Sequence, residues 1–203
     1  MTYATDIREP AAAFAAATLV VACVALASRG APLPASGWAA AFLLLAVHQD
    51  LTRMRIPNWL TLPGLLLALC LGGLAGGLEG LLHAACGAAV ALAILLPPFA
   101  FRAIGAGDVK ACMVLGALWG PAVFLPAFGW MIAAGGLLAL ALLAIRGELG
   151  ALLVRWARSA TATVLTRRIT YFGPAHGAAT GLPFAVCMAL GAAAYAAWGN
   201  PWS

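Results

Sequence analysis

Residues 109–145 read VKACMVLGALWGPAVFLPAFGWMIAAGGLLALALLAI. After Lys110 this stretch has no charged side chain. A helix crossing about 30 Å of hydrocarbon needs about 20 apolar residues. The stretch is therefore too long for one span. Gly120-Pro121 and Pro126 interrupt it, which predicts a short helix followed by a longer one. Similar apolar runs lie on both sides: Ala11 to Ala27, Gly37 to Leu51, Trp59 to Leu78, Leu81 to Phe101 and Gly181 to Trp198. The expected fold is all-α, a polytopic membrane protein of about seven transmembrane helices. A core of six helices, within residues 37–203, follows an additional helix in residues 1–36.

Composition agrees. Of 203 residues, 65% are hydrophobic and 8% charged, against roughly a quarter charged in a soluble domain. Too little polar surface exists to coat a water-soluble globule, which excludes a cytosolic enzyme, a disordered tail and a nucleic-acid-binding domain. The formal charge of +5 has another origin. With the amino terminus in the cytoplasm, ten of the eleven Lys and Arg residues fall inside and only Arg29 outside.

Two segments have two readings each. Ala11–Ala27 is a membrane anchor, or a signal peptide cleaved after Ala25-Leu26-Ala27; its weakly basic flank favours the anchor. Residues 146–170 form the one sizeable polar segment. Leu149, Leu152, Leu153, Trp156 and Ala160 recur at helical spacing there, as in an amphipathic helix on the inner membrane surface. The alternative is a plain basic loop. Either attracts anionic lipid.

The five cysteines stand singly in apolar runs, without a CxxC pair, and read as packing residues rather than a zinc site or disulfide framework. Gly72, Gly73, Gly76 and Gly77 form two GxxxG spacings, expected to let helices approach closely.

Only six acidic residues occur, and two sit at the ends of spanning helices: Asp50 and Asp108. A carboxylate in the membrane costs about 3 kcal/mol on insertion scales, which makes such residues functional candidates. Arg53 and Arg55 follow Asp50 and reach toward the headgroups. Pro57-Asn58 then starts the next helix. A carboxylate merely paired with Arg53 is the plainer alternative. Asp108 closes Gly105-Ala106-Gly107-Asp108. Gly105 and Gly107 allow unusual backbone geometry and leave room for an approaching strand. Asp108 opens a helix, whose free N–H groups attract a carboxylate. Two such carboxylates can share a proton. The ionised one then takes a proton from water while the neutral one donates to a scissile carbonyl oxygen.

Three motifs together resemble the prepilin peptidases of the GxGD aspartic class, in the short Flp/Tad-type branch. They are Asp50 with Arg55-Ile56-Pro57-Asn58, then Gly105-Ala106-Gly107-Asp108-Val109-Lys110, then Leu182-Pro183-Phe184-Ala185. The resemblance spans about residues 38–198. It implies Asp50 and Asp108 as catalytic residues, supported by Gly105, Gly107, Lys110, Pro57, Asn58 and Pro183, with no metal and no cofactor. It further implies a prepilin or pseudopilin substrate. On that resemblance the basic leader would be cut at the cytoplasmic face of the inner membrane, and the apolar segment after the cut would dock between helices. The paired CxxC segment of the methylating members is missing, so no methyltransferase activity is expected. The partners expected are substrate and lipid, not nucleic acid, and the sequence carries no signal of oligomeric state.

Other chemistries fit less well. His48 lies opposite Asp50 on its helix. No HExxH or GxSxG motif occurs. A proton- or ion-coupled transporter would use the two aspartates as ion-binding groups, nearer the midplane and in paired repeats. A non-catalytic pilus or secretion assembly component is the other alternative.

Overall fold

The structure, a computed structural model, describes residues 33–101, 103–145 and 183–199, with single positions 147, 150 and 154. The first predicted helix, Ala11–Ala27, lies outside the described residues, as does nearly all of the 146–170 segment. Four helices occur among the described residues, with no strand: α1 (Leu33–Arg53), α2 (Asn58–Ala100), α3 (Ala106–Ile145) and α4 (Phe184–Trp198). The chain divides into two compact units, residues 1–135 with 183–203, and residues 136–182. In the second unit, residues 136–145 complete α3 and expose Leu137 and Leu140.

Straight, a helix of 43 residues would run about 65 Å, twice the thickness of a bilayer core. Both long helices break instead. In α2 the break is at Gly76 and Gly77, where Gly77 takes φ 59° and ψ −138°, a conformation open to glycine alone. Beyond it the chain turns back, because Gly72 lies against the backbone of Gly80, and a Cβ on Gly72 would stand 2.9 Å from Ala84 Cβ. Of the four glycines expected to serve helix packing, Gly72 does so. Gly76 and Gly77 have nothing within 4 Å of where a Cβ would be, and form the turn.

In α3 the break is at Gly120, with φ 71° and ψ 170°. Pro121 restarts the helix at its first position, where its missing N–H costs nothing. Pro126, expected to be a second break, sits inside continuous helix and is buried. One proline in an apolar helix is tolerated where neighbouring helices enclose it.

Small residues set the packing. Gly87 and Gly116 meet backbone to backbone, so the second half of α2 lies against the first part of α3. Past Gly120, Trp130 donates its indole N–H to Gly199 O at 2.9 Å, Met131 lies against Gly191, and Gly135 approaches Cys187. Those partners fall in number along α4 as they rise along α3, so the two run antiparallel. The alternation brings the end of α1 and the start of α3 to the same side. Phe124, Leu115, Val114 and Met188 are fully enclosed at the centre.

The outer face is apolar. Leu74 is 85% exposed, Leu66 64% and Ile132 60%, an arrangement that suits hydrocarbon rather than water. Both α2 and α3 are long and apolar enough to cross a membrane. Trp130 and Trp198 pair at 5.6 Å at the far end, and Trp59 is exposed at the near end, where aromatic side chains favour a membrane interface.

The Gly87–Gly116 contact makes a prediction. Gly87→Ala and Gly116→Ala should each destabilise the protein by about 1–3 kcal/mol through overpacking. Gly37→Ala, with open space around it, should be neutral or mildly stabilising. Thermal unfolding in detergent checks all three.

Candidate active site

Asp50 occupies the last turn of α1. The helix ends at Met54, whose φ of 51° lies in the left-handed region and whose N–H donates to Asp50 O at 2.8 Å. Asp50 is buried, at 6% exposure. Its Oδ2 accepts the N–H of Ala185 at 2.9 Å. Arg53 is exposed, and among the described residues no ion pair joins it to Asp50.

The donor comes from the start of α4. The first N–H groups of a helix have no partner within it. Pro183 is the residue preceding the helix, with φ −69°, and makes no side-chain cap. Its carbonyl takes the N–H of Val186 at 3.1 Å, and the N–H of Ala185 is taken by Asp50. Ala185 is fully enclosed, which leaves little room for a larger side chain. Asp50 thus caps a helix 135 residues away in sequence.

Asp108 is the third residue of α3. Its Oδ2 reaches back to accept the N–H of Gly105 at 3.2 Å, as the acid in a capping box does. The N–H groups of Asp108 and Val109 donate to Gly105 O at 3.2 and 3.3 Å. Neither Gly105 nor Gly107 takes a positive φ, so unusual backbone geometry is not their role. Gly107 is needed for space: a Cβ there would stand 2.8 Å from Ile56 O. A Cβ on Gly105 would stand 3.2 Å from Asp108 Oδ2.

Lys110 acquires a partner. Its Nζ donates to Asn58 Oδ1 at 2.8 Å. Asn58 is the first residue of α2, and the cap position is the one before it. Pro57 holds that position, and its carbonyl accepts from Leu60 and Thr61 at 3.1 and 3.3 Å. Asn58 and Lys110 tie the connection after α1 to the first two turns of α3, with buried Ile56 against Gly107. Asp50, Asp108, Gly105, Gly107, Lys110, Pro57, Asn58 and Pro183 all lie in the first unit. Asp108 lies within electrostatic reach of Asp50.

Two neighbours carry no signal in the sequence that separates them from packing residues. Cys187 lies within electrostatic reach of both carboxylates and directs its Sγ to Pro183 O at 3.7 Å. Cys112 is enclosed, with its Sγ 3.6 Å from Met188 Sδ. His48 is exposed on α1.

Chemically, the site offers two carboxylates, each steadied through one oxygen by a backbone N–H at a helix start. Among the described residues neither carboxylate has another hydrogen-bond partner. Gly107→Ala should cost about 1–3 kcal/mol by pushing on Ile56. In a double-mutant cycle, Asn58→Ala and Lys110→Met should couple by about 0.5–1.5 kcal/mol. Unfolding midpoints measure both.

The sequence profile of the type IV leader peptidase family matches residues 38–145, more than half of the chain and a span holding both aspartates. No curated protein and no solved structure matches the chain. The matched span contains Asp50, the Ile56–Asn58 connection and the Gly105–Lys110 turn that packs against it. The chain belongs to the type IV leader peptidase family, whose members are leader peptidase-type proteases.

Proposed function

We propose that this protein is a membrane-embedded aspartic endopeptidase. It cleaves the short basic leader of prepilin-like or pseudopilin proteins at the cytoplasmic face of the inner membrane. The observation that carries this reading is the buried Asp50 carboxylate, held by Ala185, with Asp108 within its electrostatic reach. Family membership supports the protease. The three matching motifs support the Flp/Tad-type branch.

In the proposed reaction the two carboxylates share one proton. The ionised one removes a proton from water, whose oxygen attacks the scissile carbonyl carbon. The neutral one donates its proton to the carbonyl oxygen, giving a neutral tetrahedral intermediate. Collapse breaks the C–N bond and passes a proton to the leaving amine. Gly107, Lys110, Asn58 and Pro57 position Asp108, and Pro183 presents the helix start that holds Asp50.

The interrupted helices support six membrane passes among the described residues: 33–53, 58–75, 78–100, 106–119, 121–145 and 184–198. The Ala11–Ala27 run, outside the described residues, would add a seventh if it stays as an anchor. The distribution of basic residues supports a cytoplasmic aspartate end.

Co-expression with a cognate prepilin, scored by mobility on a gel, tests this reading. The wild-type chain should convert the precursor. Asp50→Asn and Asp108→Asn should each lower conversion about a thousandfold or more. Normal processing by either variant would overturn the mechanism. Chelators should leave the rate unchanged, and strong inhibition would favour a metal site. Methyl transfer to the new amino terminus would contradict the single activity.

A further inference from the structure

The connection from Arg53 to Asn58 lines a cavity of about 370 Å³, walled by Arg53, Arg55, Ile56, Pro57 and Asn58. The proposed chemistry draws on Pro57 and Asn58 in its wall but on neither arginine. Arg53 and Arg55 are both exposed, and among the described residues no carboxylate pairs with either. Asp50, the nearest acid in sequence, is turned inward to Ala185. Two guanidiniums thus face one cavity without a paired counter-charge among the described residues.

The level of the cavity names its occupant. Trp59 is 58% exposed and Met54 44% exposed, immediately beside it. An exposed tryptophan at the end of an apolar helix marks the headgroup layer, and long arginine stems reach outward from that level. A phosphodiester there offers oxygens that match the fork of a guanidinium. A choline headgroup would bring its own cation against two arginines. A net-negative phospholipid would not.

We infer that this cavity binds the phosphate of one anionic phospholipid, and that the bound lipid steadies the segment positioning Asp108. The inference rests on the membrane-spanning reading above. Its link to the site is direct, because the cavity wall from Ile56 to Asn58 is the stretch that meets Gly107 and accepts from Lys110. Arg53 and Arg55 are positioning residues that act through the lipid.

Native mass spectrometry of the full chain, in detergent carrying phosphatidylglycerol or phosphatidylcholine, tests the inference. The wild type should retain one phosphatidylglycerol at this site, beyond any that the 146–170 segment attracts, and no phosphatidylcholine. The double variant Arg53→Gln/Arg55→Gln should lower that occupancy by about fivefold or more. Its unfolding midpoint in lipid-free detergent should not change, since both side chains are exposed. Equal occupancy in the variant, or equal retention of phosphatidylcholine, would overturn the site. So would displacement by millimolar inorganic phosphate, which would mark a free-anion site, or by an acidic peptide, which would mark a contact with an acidic protein segment. The lipid mass is read without cleavage, and Asp108→Asn should bind as the wild type does. Loss of the peptidase reading would therefore leave this result standing, and the reverse.

Discussion

The hydrogen bond from Ala185 N–H to Asp50 Oδ2 is the contact on which the site depends. A carboxylate buried among apolar helices is expensive. A helix start is equally unsatisfied, because its first N–H groups have no internal acceptor. Each supplies what the other lacks. The bond joins the end of α1 to the start of α4, and it fixes which oxygen of Asp50 is engaged. It also makes the site depend on whatever holds α4 in place. That is the second half of α3, through Met131 against Gly191 and Trp130 bonded to Gly199. The break at Gly120 is what returns α3 along α4. A glycine far from the chemistry therefore helps to determine where a carboxylate sits.

Asp108 is secured by a separate and more local set of contacts. Its own turn holds it through Gly105, and that turn rests on the connection that follows α1. Absence of a side chain at Gly107 lets Ile56 approach, and the Lys110–Asn58 bond closes the joint. Two independent supports thus converge on one end of the helix bundle. In an apolar surrounding, carboxylates held this way keep one oxygen each for hydrogen bonding and leave the other for proton exchange. Under the proposed mechanism, that is the arrangement an acid–base pair needs.

Much of the fold was legible from the sequence because hydrophobic run length is set by the bilayer. The runs from Gly37, Trp59, Leu81 and Val109 correspond to helical stretches within a few residues. The Gly120 break followed from a glycine and a proline in succession. Pro126 misled because a proline in an apolar helix can be accommodated by its neighbours. The candidate acids stood out through the scarcity of charge. Their supports were named by the motif resemblance, but the contacts those residues make were not legible. Asn58 starts α2 as expected, but its bond to Lys110, 52 residues on, leaves no local trace. Gly105 and Gly107 were expected to offer unusual backbone geometry and room; neither takes a positive φ, and at Gly107 it is the room that matters. Ala185 is an alanine in an alanine-rich chain, and only the tertiary fold shows that its N–H meets Asp50. Pairings of this kind are set by distance in space, which local pattern does not encode.

The central claim is that Asp50 and Asp108 work as one unit. Single-turnover cleavage of a cognate prepilin by Asp50→Asn, Asp108→Asn and the double variant tests it most directly. If the two share one proton in one step, either substitution removes the step, and the double variant is no slower than the slower single. Losses that multiply in the double variant would mean that the aspartates act separately, and would contradict the account.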